Sequence, residues 1–271
     1  MNGKSVLFII ITSVISVVVI IASYYGYTRY LKLRFDNNTI DYAKDYMKLD
    51  RANIKKKIVV SMYASNSSSS ETMRSSLNSL LDQTVKPDQI IVSTPPDSSL
   101  ALDDFLTSQN IVIIYKMAYD YGEIGSLISP LLIEKDAGVI IILASERTIY
   151  GVEFIEQMVD ASVKNPDCVI YNRGFNAKQY VNNNVRVDEE KMNDIIDSDY
   201  GALVKPKFFD SSILTENRFK SLDILLSLYV KDKVCIKSTR YTELFKSTTP
   251  KNDGEDQKKE ILVNSIYFPS F

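Results

Sequence analysis

The sequence predicts an α/β domain, a mostly parallel sheet flanked by helices, carried behind one transmembrane helix. Three observations predict it. No charged side chain occurs from Ser5 to Thr28, and Val6 to Ala22 is almost entirely Ile, Val, Leu and Phe with small hydroxyl residues. Beyond that run, short continuous aliphatic stretches alternate with stretches whose apolar residues recur at helical spacing. Each connection between aliphatic stretches is long enough for a crossover, the pattern of parallel strands covered on both faces.

The elements follow in chain order. A run of about 24 apolar residues rising 1.5 Å each spans the roughly 30 Å hydrocarbon layer. Tyr24, Tyr25, Tyr27 and Tyr30 follow it, where amphipathic rings favour the lipid–water boundary. The rival is a cleaved signal peptide, whose apolar region is shorter and ends in small residues. Here the run leads into bulky Tyr, then Arg29, Lys32 and Arg34, so an uncleaved anchor over residues 1–30 is expected, with the lipid bilayer as partner through residues 5–28. The side of the membrane stays open. The basic residues after the run favour a cytosolic domain, whereas the sequons at Asn37 and Asn66 matter only on the luminal side.

Residues 31–57 are polar and read as a stalk. Ile58 to Met62 is a buried strand, Glu71 to Asp82 a helix, Gln89 to Thr94 a strand ended by Pro95 and Pro96. Leu100 to Leu106 is a short helix, Ile111 to Tyr115 a strand, Leu127 to Ile133 a helix and Val139 to Leu143 a strand. Val152 to Ser162 is a helix, Val169 to Tyr171 a strand, Asn176 to Asp188 a hairpin or polar excursion, Tyr200 to Val204 a strand and Ser221 to Lys231 a helix. The domain is set at 58–249. A charged linker and an apolar C-terminal tail that packs back on it fill 250–271. Ligands of such sheets sit beyond the carboxyl ends of the strands, which directs attention to the loops after Met62, Thr94, Lys116 and Ala144.

Composition excludes several chemistries. The chain has 271 residues and a net charge of −2, without the basic field that nucleic-acid binding needs. It has no histidine, which removes Ser-His-Asp and Cys-His catalysis and every imidazole metal site. Cys168 and Cys235 lie far apart with no CxxC spacing, and whether they pair stays open.

Ile58 to Phe154 resembles the viral and bacterial glycosyltransferases of GT-A type related to family 2. The resemblance is carried by Ser76 to Ile91, by Asp120-Tyr121-Gly122, by Ile140 to Phe154 and by Asp223 to Tyr229, in that order and spacing. It implies a nucleotide-diphospho-sugar transferase-like sheet. In that family an acidic cluster after a central strand holds a divalent cation against the diphosphate, and a carboxylate on a late helix takes the acceptor proton. Carried over residue by residue, the nucleotide-sugar cleft falls at Asp120, Tyr121, Gly122, Ser145, Glu146 and Arg147, and the candidate base is Asp223.

The departures from that pattern are as informative as the matches. The metal cluster falls on Ser145-Glu146-Arg147, where only Glu146 is acidic and Arg147 puts a fixed cation among the expected ligands. Ser126 replaces a family lysine, and Leu222-Asp223 replaces a pair of aspartates. No metal site and no cofactor are therefore expected. Two readings compete. In the preferred one the fold persists without the chemistry, as a binding or scaffold protein for a glycan or protein partner. In the other, Arg147 neutralises a diphosphate without a metal and Asp223 acts as base in sugar transfer to a hydroxyl acceptor. A structural membrane or envelope protein with no ligand is a third. Taken singly, Asp223 is a residue suited to a helix N-terminus, Glu146 and Arg147 a solvated loop pair, and Gly122 a turn glycine.

Overall fold

The computed structural model describes residues 3–48, 56–175, 195–214, 221–230, 232–236 and 241–243. The hairpin expected at Asn176 to Asp188 and the linker and tail expected at 250–271 lie outside them.

Eighteen elements organise the description. They run α1 (Gly3–Phe35), α2 (Thr39–Lys48), β1 (Ile58–Tyr63), α3 (Ser70–Leu81), β2 (Gln89–Thr94), α4 (Asp104–Ser108), β3 (Val112–Lys116), α5 (Gly125–Ile133) and β4 (Ile140–Ser145). Then come β5 (Thr148–Tyr150), α6 (Phe154–Lys164), β6 (Val169–Tyr171), β7 (Gly174–Phe175), β8 (Ile195–Ile196), β9 (Ala202–Val204), α7 (Leu222–Tyr229), β10 (Lys233–Cys235) and β11 (Tyr241–Glu243). A seven-stranded sheet in the order β10-β6-β9-β4-β1-β2-β3 carries the domain. All its pairings are parallel except those of β9, which runs against both β4 and β6. The fold class expected from the sequence, a mostly parallel sheet flanked by helices, is the one present.

Alternation along β1 shows why both faces are covered. Ile58, Val60 and Met62 point into one core with Tyr46 of α2, Leu77 of α3 and Met158 of α6. Val59 points into the other with Leu127 of α5 and Leu225 of α7. A strand apolar at every position is stable only between two helical layers, and β1 and β4 are buried along almost their whole length. Each such side chain contributes roughly 1.5–3 kcal/mol relative to exposure. Helix α3 starts where a capping box allows. Ser69 Oγ accepts the Thr72 amide at 3.2 Å, and Thr72 Oγ1 accepts the Ser69 amide at 2.9 Å.

Helix α1 is 33 residues long, and its residues are exposed from Phe8 through Tyr27. It is long and apolar enough to cross a membrane. Residues 31–48, read from the sequence as part of a stalk, are packed onto the domain. Phe35 at the end of α1 is buried, and Ala43 and Tyr46 are buried because the apolar stripe of α2 completes the core layer that α3 begins. Cys168 and Cys235 form no disulfide with one another.

Candidate functional site

Strands β1 and β4 end side by side, with Tyr63 in register with Ser145. Beyond these ends lies an open cleft of about 380 Å³, counting the space at its mouth. Its walls come from five pieces of chain: Tyr63 at the end of β1, Glu123 and Ser126 just before and within the first turn of α5, Ala144 to Arg147 at the end of β4 and the loop after it, Ser198 and Asp199 from the turn before β9, and Leu222 at the start of α7. This is the position expected for a ligand of such a sheet.

Tyr150 ties two of the walls together. Its ring is buried, its oxygen accepts the Ser145 amide at 2.7 Å, and its hydroxyl donates to the Asp199 carbonyl at 3.0 Å. Ser76 Oγ donates to the Ser145 carbonyl at 2.8 Å, fixing the loop from below. Gly201, at φ +100°, turns the chain into β9 where a Cβ would fall 2.5 Å from the Phe154 ring.

The electrostatics centre on Arg147. Its guanidinium lies 3.5 Å from Asp199 Oδ2 and 3.8 Å from Glu123 Oε1, and all three side chains are partly exposed. These distances exceed direct hydrogen bonds, and pairs this exposed contribute about 1 kcal/mol or less each. Their consequence is for ligand choice rather than stability: the cation sits between two carboxylates. Glu146 is the reverse case. Its Oε2 is buried with no hydrogen-bond partner. Burial pushes its carboxyl pKa above the ordinary value, against the hydrogen bond from Ser68 and the charge of Arg147. Burial and a hydrogen bond to Asp120 raise the Tyr63 phenol in the same way, so it stays protonated and donates at 3.0 Å.

Each residue singled out in the sequence has a place. Ser145, Glu146 and Arg147 line the cleft. Asp120, Tyr121 and Gly122 form a turn beside it. Asp120 Oδ1 accepts the Gly122 amide at 2.9 Å, Gly122 has φ +57°, and the turn is joined to the cleft by the Tyr63–Asp120 hydrogen bond and by Glu123, the next residue in the chain. Asp223 lies in the first turn of α7, behind the wall. Its Oδ1 accepts both the amide and the hydroxyl of Ser198, at 2.9 and 2.5 Å. It fixes the turn that carries Asp199. The solvated-pair reading of Glu146 and Arg147 does not describe them, since one is mostly buried and the other is paired across the cleft with Glu123 and Asp199.

Glu123, Asp199, Ser198 and Tyr63 escaped the sequence reading. Glu123 had a positional clue, following directly on Asp120-Tyr121-Gly122. Asp199 sits in an irregular stretch with no local signature. The donor set does not fit a divalent cation: Arg147 stands between Glu123 and Asp199, and among the described residues no group of three acidic or cysteine side chains is arranged to hold a metal ion.

No family model matches the chain, and no curated protein matches its sequence. Among solved structures it is similar to a mannosyltransferase from Pyrobaculum calidifontis in complex with GDP-Man and Mn²⁺, at 13% identity and a TM-score of 0.40. The match covers 70% of this chain and 55% of that one, so the chain spans about half the length of the structure it resembles.

Proposed function

We propose that this chain is a membrane-tethered binding module on a transferase-like α/β domain, with a cleft that holds a hydroxyl-rich glycan and does not transfer sugar from a nucleotide donor. One observation carries the proposal, the pairing of Arg147 with both Glu123 and Asp199. A diphosphate is acceptor-only and multiply negative, and needs an uncompensated cation. The cleft presents three carboxyl groups, Glu123, Glu146 and Asp199, to one guanidinium, so it repels such a group. Carboxylates and serine hydroxyls accept hydrogen bonds, and sugar hydroxyls supply them. Asp223, engaged with Ser198, is a positioning residue in this reading, and no metal takes part.

The tether is supported by the course of α1. The helix runs unbroken into Phe35, whose side chain is buried in the domain core.

Thermal-shift measurements separate the readings. Stabilisation by oligosaccharides with no response to nucleoside diphosphates or nucleotide-sugars, with or without Mn²⁺, is the expected result. Stabilisation by a nucleotide-sugar without metal restores the transfer reading, and silence toward both classes leaves a scaffold.

A further inference from the structure

The junction between α1 and the domain is a built joint rather than a flexible link. Arg34 pairs with Asp82 at 2.6 Å, and the Arg34 carbonyl accepts the Tyr42 hydroxyl at 2.6 Å. The Asn78 amide group donates to the carbonyls of Phe35 and Asn37 at 2.9 and 3.0 Å. Tyr46, fully buried on α2, donates to the Pro87 carbonyl. Phe35 itself is 2% exposed. From Tyr30, the last of the boundary tyrosines, to Phe35 the helix continues without a break over five residue steps, a rise of about 7.5 Å.

The joint also has a definite place on the sheet. Pro87 and Asp88 sit at the amino edge, where the Asp88 carboxylate accepts the Ile58 amide at 2.7 Å and the Asp88 amide donates to the Ile58 carbonyl. Asn78 and Asp82 belong to the last turn of α3 and its cap, the end that returns to that edge. The cleft lies at the opposite, carboxyl edge, beyond Tyr63 and Ser145. The six residues of β1 separate the two edges by about 20 Å at roughly 3.3 Å per residue. Only the last turns of α1 are built into the domain, and the apolar span projects clear of it with its side chains exposed.

We infer that the domain is mounted rigidly on its anchor, with the amino edge of its sheet toward the lipid headgroups and the cleft held about 20 Å away on the far edge. The cleft therefore meets ligands presented from the aqueous side, and not the headgroups of the membrane that anchors it. This rests on the tether reading above and is independent of which ligand the cleft takes.

Fluorescence transfer in lipid nanodiscs tests it. The full chain carries Cys168→Ser and Cys235→Ser, with a single donor dye at Asp36→Cys in the turn after the anchor, or at Tyr119→Cys on the exposed loop beside the cleft. The acceptor is a dye on the lipid headgroup. With a dye pair whose transfer distance is no longer than the separation of the two edges, strong transfer from position 36 and much weaker transfer from position 119 are expected. Adding Asn78→Ala and Arg34→Ala to the position-119 protein should restore part of that transfer as the joint loosens. Equal transfer from the two positions in the intact chain overturns the mount while leaving the tether standing. A folded chain that stays out of the nanodiscs overturns both.

Discussion

In the proposed reading, Arg147 sets what the cleft accepts through the company it keeps. A guanidinium alone at the rim of a sheet attracts phosphate, but one held between Glu123 and Asp199 has its charge met before a ligand arrives. Glu146 beside it supplies a test of the local field. Its folded pKa is raised above the ordinary 4.5, so the folded state holds its proton more tightly than the unfolded chain does. That contribution is fully present below pH 4.5 and is lost as pH rises through the folded value. Glu146→Gln should therefore raise the melting temperature at pH 7, with the gain shrinking toward zero below pH 4.5; a variant less stable at pH 7 contradicts the assignment. The loop that carries Ser145, Glu146 and Arg147 was legible because it follows a continuous aliphatic strand, and the resemblance to the transferase family singled out the three residues themselves. Glu123 and Asp199 reach the same cleft from segments about 20 and 50 residues away, and only the sheet order brings them together.

At the scale of elements, the cleft is held by what lies beneath it. Tyr150→Phe removes the acceptor for the Ser145 amide and the donor to the Asp199 carbonyl, both buried or partly buried. Leaving such groups unsatisfied costs about 1–3 kcal/mol, which chemical denaturation will register as a lower midpoint. Gly201→Ala must strain a backbone at φ +100° and drive a methyl into the Phe154 ring. A loss of about 1–3 kcal/mol from the backbone alone is expected, before overpacking is added. A midpoint unchanged in either variant removes that element from the account. The strands β1, β2, β4 and β6 were readable because each is a short, nearly unbroken aliphatic run. Strand β9 was placed within two residues, but its reversed direction was not legible, since Ala202-Leu203-Val204 carries no mark of orientation. Strand β5 pairs with β11 from nearly a hundred residues later, and a three-residue run of mixed polarity does not announce such a partner.

For the whole molecule, α1 continues without a break into Phe35, which is buried against the domain. The apolar run of α1 was plain from its lack of charge, whereas the packing of α2 was hidden by its polar composition. Tyr42, Ala43 and Tyr46 are few apolar groups, but all three reach the core layer of α3. Asn78→Ala should then weaken the joint without touching the cleft, lowering the melting temperature while leaving saccharide binding unchanged; a loss of binding with stability intact contradicts the separation of the two edges. The most direct test of the central claim is calorimetric titration with inorganic pyrophosphate, comparing the intact chain with the double variant Glu123→Gln/Asp199→Asn. The account predicts no saturable heat from the intact chain and saturable binding once Arg147 is relieved of its two partners. Binding of pyrophosphate by the intact chain contradicts it.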